Sequence, residues 1–231
     1  MATGSHGIDD YLEAIYELQE EGQRVVQARI ARRLGLTRAS VSEQIQRLAR
    51  MRLIDVQARV VTLTQHGYAV AEDAVRKHRM AERFLVDVLK MPWHLAHQEA
   101  NRFQSGITAE IEQRMLAMLR GPATCPHGNP IPGTGAVFAT DAVPLRGFVP
   151  GDAVELVRLL EDVELDTAAM RYFEEHGLVP GARIQIVAVA PDGSMTLAIG
   201  EDKSSLGPKL TDNVWVRPAN EPKRRRRAVS A

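Results

Sequence analysis

Residues 27–50 constrain the fold more than any other stretch of this chain. Gln27 to Leu34 reads as a short helix, and Gly35 follows where left-handed backbone ends a helix tightly. Leu36 comes next, then Thr37 as the N-cap of another helix. That helix turns Val41, Ile45 and Leu48 to one side, and its other face carries Arg38, Ser40, Ser42, Glu43, Gln44, Arg47 and Arg50. Two helices joined by a short Gly turn, the second lined with small polar and basic side chains, suit reading of a DNA major groove. The flanks agree. Upstream, Asp9 is expected to cap a helix with Leu12, Ile15, Tyr16 and Leu18 on its apolar face. Downstream, Leu53 to Leu63 reads as a short hairpin, a wing, and Thr64 caps the next helix. A small helical module with an arginine-rich solvated face is the plainer alternative, but charge, turn and wing coincide.

The charge pattern favours DNA. The formal net charge is zero, yet residues 22–60 carry nine arginines against Glu43 and Asp55, while residues 151–176 carry eight acids against Arg158 and Arg171. Arg47, Arg50 and Arg59 are placed to meet phosphates. Thr37, Arg38, Ser40, Ser42 and Glu43 are placed at the groove, where base edges are read. Glu43 is repelled by phosphate but accepts from cytosine, so it would narrow the sequence read.

With 45% apolar and 25% charged residues, the composition is that of a globular protein. No apolar run approaches the roughly 18 residues that span a membrane, and residues 1–7 do not resemble a signal peptide. The single cysteine, Cys125, excludes an internal disulfide and fits a reducing cytoplasm.

The middle of the chain carries the chemistry. Helices are expected over roughly Thr64 to Lys90, Pro92 to Gln104 and Thr108 to Leu119. His78 and Glu82 stand one turn apart on one helix face, and His97 lies on the next helix. Alone, His78 and Glu82 read as an ordinary i, i+4 pair; with His97 they make an imidazole–carboxylate–imidazole set suited to a divalent transition metal. His6, His66, His94, His127 and His176 read as structural or exposed. The stripe Ile111, Met115, Leu116 and Leu119 is a dimerisation candidate, with ordinary core as an equal alternative. A loop from about Thr134 to Pro144 marks a linker. Strands are expected at Gly151 to Leu160, Ala182 to Val189, Met195 to Ile199 and around Val214 to Val216. Asp166 caps a helix closed by Gly177. Together these make a small barrel.

Four segments carry a resemblance: Asp10-Tyr11-Leu12-Glu13-Ala14-Ile15-Tyr16-Glu17-Leu18, Ala28-Arg29-Ile30-Ala31-Arg32-Arg33-Leu34, Arg76-Lys77-His78-Arg79-Met80-Ala81-Glu82-Arg83 and Gly128-Asn129-Pro130-Ile131-Pro132-Gly133. On these the chain resembles the iron- and manganese-dependent repressors named after the diphtheria toxin repressor, from about Asp9 to Gly133 and again in the C-terminal part. The resemblance implies a mainly α fold with a small β part. Its parts are a winged helix-turn-helix at 1–71, a metal-binding and dimerisation domain at 72–140, an SH3-like (FeoA-like) barrel at 141–218 and a basic disordered tail at 219–231. It implies a five-ligand metal site of His78, Glu82, His97, Glu161 and Glu164, the last two from the C-terminal domain, with an anion beside it at Arg79 and Asn129. Cys125 replaces a family serine at that anion contact. It also implies a second metal site matching Asp10, Asn101, Gln104 and Ser105. Asp10 and Glu13 follow the manganese-sensing branch, but the other donors are weak, so this site is expected to be absent, weak or rebuilt from groups such as Glu99.

The resulting expectation is a cytoplasmic, homodimeric, metal-activated repressor that binds double-stranded operator DNA, controls metal homeostasis, and has neither enzymatic activity nor a membrane partner. Mn(II) is expected as the cofactor, with Fe(II) as the alternative and Zn(II), Co(II), Ni(II) or Cd(II) binding in vitro. A His-Glu-His metallohydrolase and a DNA-binding regulator whose metal is only structural are the competing readings. The tail from Lys223 to Arg227 reads as a solvated run of like charges, with nonspecific DNA affinity as the alternative.

Overall fold

The computed structural model describes residues 7–219, so the expected basic tail lies outside the described residues. Helix α1 (Ile8–Glu20) starts one residue before the expected cap: Gly7 is the N-cap, and the Asp10 carboxylate, rather than Asp9, accepts from the Gly7 amide at 2.8 Å. Helix α2 (Gln27–Leu34) ends at Gly35, whose φ of 64° is the left-handed cap the sequence demands. Thr37 accepts from the Ser40 amide and starts α3 (Arg38–Arg50), which buries Val41, Ile45 and Leu48. Strands β1 (Ile54–Gln57) and β2 (Val60–Leu63) pair antiparallel, with Ile54 opposite Leu63.

The wing is tied to the next helix. Thr64 caps α4 (Gln65–Asp87), and its hydroxyl donates to the Arg52 carbonyl at 2.7 Å. A Cβ on Gly67 would stand 1.8 Å from the Leu53 carbonyl oxygen. Gly67→Ala therefore forces the helix off the wing, and a loss of about 2 kcal/mol or more is expected. Chemical denaturation checks this; an unchanged midpoint would show that the contact yields freely.

Past α4, a short 3-10 turn at Trp93–Leu95 leads into α5 (Ala96–Phe103), and α6 (Ala109–Leu119) is capped by Thr108. Thr108 caps α6 as the sequence indicates, whereas α5 starts four residues after Pro92, because the 3-10 turn takes up Trp93–Leu95. Met80, Ala81, Leu85, Ala100, Ile107 and Met115 form the core here, with Leu116 and Leu119 packed against it. The apolar stripe of α6 is thus divided: Met115 is 2% exposed and serves the core, whereas Ile111 and Met118 are 39% and 59% exposed.

The remaining elements are β3 (Val143–Pro144), β4 (Ala153–Leu159), α7 (Glu161–Glu164), α8 (Thr167–Glu175), β5 (Arg183–Val189), β6 (Met195–Ile199), β7 (Asp202–Leu206), α9 (Pro208–Thr211) and β8 (Val214–Pro218). The six strands make one antiparallel sheet in the order β3-β8-β4-β5-β6-β7. Register shifts in β4 after Leu156 and in β5 after Ile186 bend it, as bulges do. The strand β3 and the single turn α7 are too short to leave a periodic signal, and β7, as long as β6, is mostly polar (Asp202-Lys203-Ser204-Ser205-Leu206) and so lacks a strand-like apolar pattern. Asp166 caps α8 as expected, accepting from the amides of Ala168 and Ala169.

Packing divides the chain into two units. One runs to Phe138 and also takes in Leu160–Met170; the other consists of Ala139–Leu159 and the chain from Arg171 onward. The winged helix-turn-helix and the three helices after it therefore belong to one body. Residues 160–170, expected to be part of the C-terminal domain at 141–218, pack with that body instead. No helix among the described residues is long and apolar enough to cross a membrane.

Candidate metal centre

Helix α4 presents His78 and Glu82 on one face, and α5 lies against α4 and presents His97. All three are buried. His78 Nε2 lies 3.1 Å from Glu82 Oε1 and 3.2 Å from His97 Nδ1, and His97 Nδ1 lies 3.2 Å from Glu82 Oε1. Two ring nitrogens facing each other at that distance repel unless a proton or a cation lies between them.

The turn α7 supplies two more donors. Glu161 Oε2 and Glu164 Oε2 stand 3.7 and 3.5 Å from His97 Nδ1. Their outer oxygens are held by the residues expected to grip an anion. Arg79 Nη2 approaches Glu161 Oε1 at 3.7 Å, and Asn129 Nδ2 donates to Glu164 Oε1 at 2.9 Å. Arg79 is itself buried, donating to both carboxylate oxygens of Glu20 and to the Pro130 carbonyl. These two side chains therefore serve carboxylates of the chain, turning one oxygen of each inward.

The loop between α6 and the linker brings two groups that the sequence pattern did not mark. His127, expected to be structural or exposed, is fully buried, with Nδ1 2.6 Å from Glu164 Oε2 and 3.4 Å from Glu82 Oε1. Trp93 packs edge-on against its ring. The Cys125 thiol forms a third potential donor group with Glu82 and His127. The available signal was a Cys-x-His pair in a Gly/Pro-rich loop, a spacing that helical periodicity does not register. The donor set is accordingly not restricted to nitrogen and oxygen.

The second site is different. Glu13 accepts twice from Gln104 Nε2, at 3.1 and 3.2 Å, and Gln104 Oε1 takes the His78 Nδ1 proton at 2.8 Å. Asn101 lies 3.2 Å from the outward nitrogen of His97. Glu99 pairs with Arg102, and Asp10 caps α1. None of the three potential metal groups among the described residues includes Asp10, Glu13 or Glu99. Asn101 and Gln104 instead stand behind the two imidazoles, where they fix ring orientation. With Nδ1–H donated to Gln104, the His78 tautomer leaves Nε2 free to ligate.

Electrostatics match a cation site. Burial disfavours the imidazolium of His97, but the adjacent carboxylates of Glu164 and Glu82 override this and hold its pKa well above the usual value. His127 behaves alike through the charges of Glu164 and Glu82. Burial and the neighbouring Glu164 raise the Glu161 carboxyl to about 7, and burial pushes the Cys125 thiol up to about 12. Both His127 nitrogens, Glu161 Oε2 and Glu164 Oε2 are buried without an aligned hydrogen-bond partner. The short His127–Glu164 approach is thus a charge contact. Donors spaced like these match the edges of a coordination shell with bonds of roughly 2.1 Å, where adjacent donors lie about 3.0–3.4 Å apart. The residues fit a divalent ion.

The expected DNA face is open. Thr37, Arg38, Ser40, Glu43, Arg47, Arg50 and the wing-tip Arg59 are exposed, and Ser42 is half-buried.

A winged helix-turn-helix sharing one packed unit with a buried imidazole–carboxylate centre defines a metal-responsive DNA-binding regulator. Comparison with known proteins agrees. Residues 5–60 match the N-terminal DNA-binding domain of the iron dependent repressors, residues 64–133 their metal binding and dimerisation domain, and residues 143–218 the FeoA domain. The iron-dependent repressor IdeR of Mycobacterium tuberculosis is 38% identical over 218 residues, covering 89% of this chain and 94% of that protein. The diphtheria toxin repressor of Corynebacterium diphtheriae is 32% identical, covering 81% and 86%. Among solved structures, a manganese-dependent transcriptional repressor in complex with manganese superposes with a TM-score of 0.81 at 30% identity, covering 91% of this chain and 99% of that one. The chain belongs to this family of metal-dependent transcriptional repressors.

Proposed function

We propose that this protein is a cytoplasmic, homodimeric repressor whose binding to double-stranded operator DNA is switched on by Mn(II) or Fe(II) at the centre of His78, Glu82, His97, Glu161 and Glu164. The observation that carries this is the convergence of three buried carboxylates with buried imidazoles in the unit that bears the DNA-reading helices. Carboxylate and imidazole donors suit Mn(II), while the Cys125 thiol beside Glu82, together with the iron-dependent relatives, favours Fe(II) as the second reading.

The bound ion supplies positive charge that three crowded carboxylates share. The chain's own residues carry that event to α1. Gln104 ties the His78 ring to Glu13, and Arg79 ties Glu161 to Glu20, so two chains of contacts run from the centre to the first helix. Glu13 and Glu20 can both be held only when α1 lies against α4. Glu161 and Glu164, held inward when they share an ion with Glu82, would favour that arrangement, and linkage would then require DNA to tighten metal by the same factor. Ile111 and Met118 on α6 would lie at the dimer contact, which would set two copies of α3 against a two-fold operator.

The test is a mobility shift with a duplex selected from a random pool by the Mn(II)-loaded protein. Mn(II) is expected to tighten binding at least about tenfold, and EDTA to reverse this with the fold intact by circular dichroism. Binding that ignores metal and chelator alike would refute the sensor reading. Unfolding on chelation would assign the metal a structural role.

A further inference from the structure

The middle of α7 faces the DNA-binding helices. Asp162, between Glu161 and Glu164, accepts from Arg33 Nε at 2.9 Å and from Arg32 Nη2 at 3.1 Å. Arg33 sits at the C-terminal end of α2 and is only 5% exposed. The rest of its guanidinium is taken by α1 and the turn after it: Nη1 donates to Glu17 at 3.1 Å, and Nη2 donates to Glu21 at 2.8 and 3.0 Å. The Arg33 fork thus joins three acids from two distant parts of the chain, in the bidentate manner that arginine allows and lysine does not.

We infer that Arg33 and Asp162 form a clasp that carries metal occupancy from α7 to the helix-turn-helix; the inference rests on the metal reading of the centre. The physical grounds are three. First, α7 is a single turn of four residues, so its position depends on the partners of its side chains rather than on its own helical stability. Its flanking carboxylates, Glu161 and Glu164, meet Glu82 around His97 Nδ1, at 3.7, 3.5 and 3.2 Å from it, and only a cation or protons make that convergence favourable. Second, the clasp can open without leaving a buried charge unpaired. If α7 withdraws, Arg33 keeps Glu17 and Glu21, and Asp162, one-fifth exposed, turns to water. A contact cheap to break on one side and charge-assisted when made suits a switch better than a staple. Third, Arg33 lies two residues before Gly35 and four before Thr37, the cap that starts α3. A shift at Arg33 is a shift in the turn that aims the groove-reading helix. Arg33 and Asp162 are positioning residues in this scheme; neither is a ligand.

The experiment combines calorimetry with hydrogen exchange on the full-length protein, using Mn(II) as the probe. In wild type, saturating Mn(II) should slow exchange of the 27–34 amides at least about tenfold. Asp162→Asn is isosteric and partly exposed, so it should fold and bind Mn(II) with affinity within about threefold of wild type, yet the slowing should fall below about twofold. Asp162→Glu, which keeps the carboxylate, should restore part of the slowing, and Arg32→Ala should remove part of it. Wild-type slowing in Asp162→Asn would overturn the clasp while leaving the metal centre standing. So would wild-type α2 amides indifferent to bound Mn(II). A loss of Mn(II) affinity beyond about tenfold in Asp162→Asn would place Asp162 in the centre itself and also overturn the proposal. A wild type that takes up no Mn(II) in the calorimeter refutes the metal reading and the clasp together.

Discussion

Glu82→Ala should weaken Mn(II) binding by at least about 100-fold, the equivalent of the ~3–5 kcal/mol lost when one member of a buried charged set is removed. Glu82 is the hub of the centre. Its Oε1 lies 3.1 Å from His78 Nε2, 3.2 Å from His97 Nδ1 and 3.4 Å from His127 Nδ1, and its side chain belongs to two of the three donor groups. Burial alone would raise its carboxyl, but the charges of His127 and His78 hold it well below the ordinary range, so it is ionised at neutral pH. Removing it leaves imidazoles without their counter-charge and a cation site short of one negative donor. Glu82→Gln keeps the volume and separates loss of charge from loss of packing; it should retain the fold and still lose most of the affinity. Isothermal titration with Mn(II) decides, and wild-type affinity in Glu82→Gln would remove Glu82 from the ligand set.

Mn(II) affinity should rise steeply with pH, roughly tenfold per pH unit for each proton displaced. In the metal-free centre protons take the place of the cation. His78, His97 and His127 all have raised folded pKa values, and Glu161 titrates near 7. A raised value means that the folded state binds the proton more tightly than the unfolded one. The stability these groups contribute is therefore complete below their unfolded values and is lost as pH rises through the folded values. Metal competes for the same sites, so its binding strengthens over that interval while the metal-free fold weakens. Thermal midpoints with and without Mn(II) should diverge from about pH 6 to about pH 8. Titrations in buffers of different ionisation enthalpy should report net proton release. A flat affinity with no proton release would contradict this picture of the centre.

The legible parts of this protein were those in which neighbours in sequence are neighbours in space. Gly35, Thr37 and the Val41, Ile45 and Leu48 stripe define the helix-turn-helix because caps and periodicity act within a few residues. His78 and Glu82 were legible for the same reason. Glu161 and Glu164 came only through resemblance, since an acidic stretch has no intrinsic reason to be a ligand rather than a solvated surface. His127 leaves no periodic trace in its Gly/Pro-rich loop, and only its spacing from Cys125 marks it.

What the sequence by itself determined is the local geometry: where helices begin and end, which faces are apolar, and which side chains stand one turn apart. These follow from backbone dihedrals and short-range hydrogen bonds. Only the tertiary structure decided which polar groups meet across long separations. It set Gln104 and Asn101 behind two imidazoles, placed Arg79 and Asn129 on the outer oxygens of Glu161 and Glu164, and joined Asp162 to Arg33 across 129 residues. The reason is physical. Buried polar groups must find partners, and which partners are within reach is set by how helices pack, information no local pattern contains.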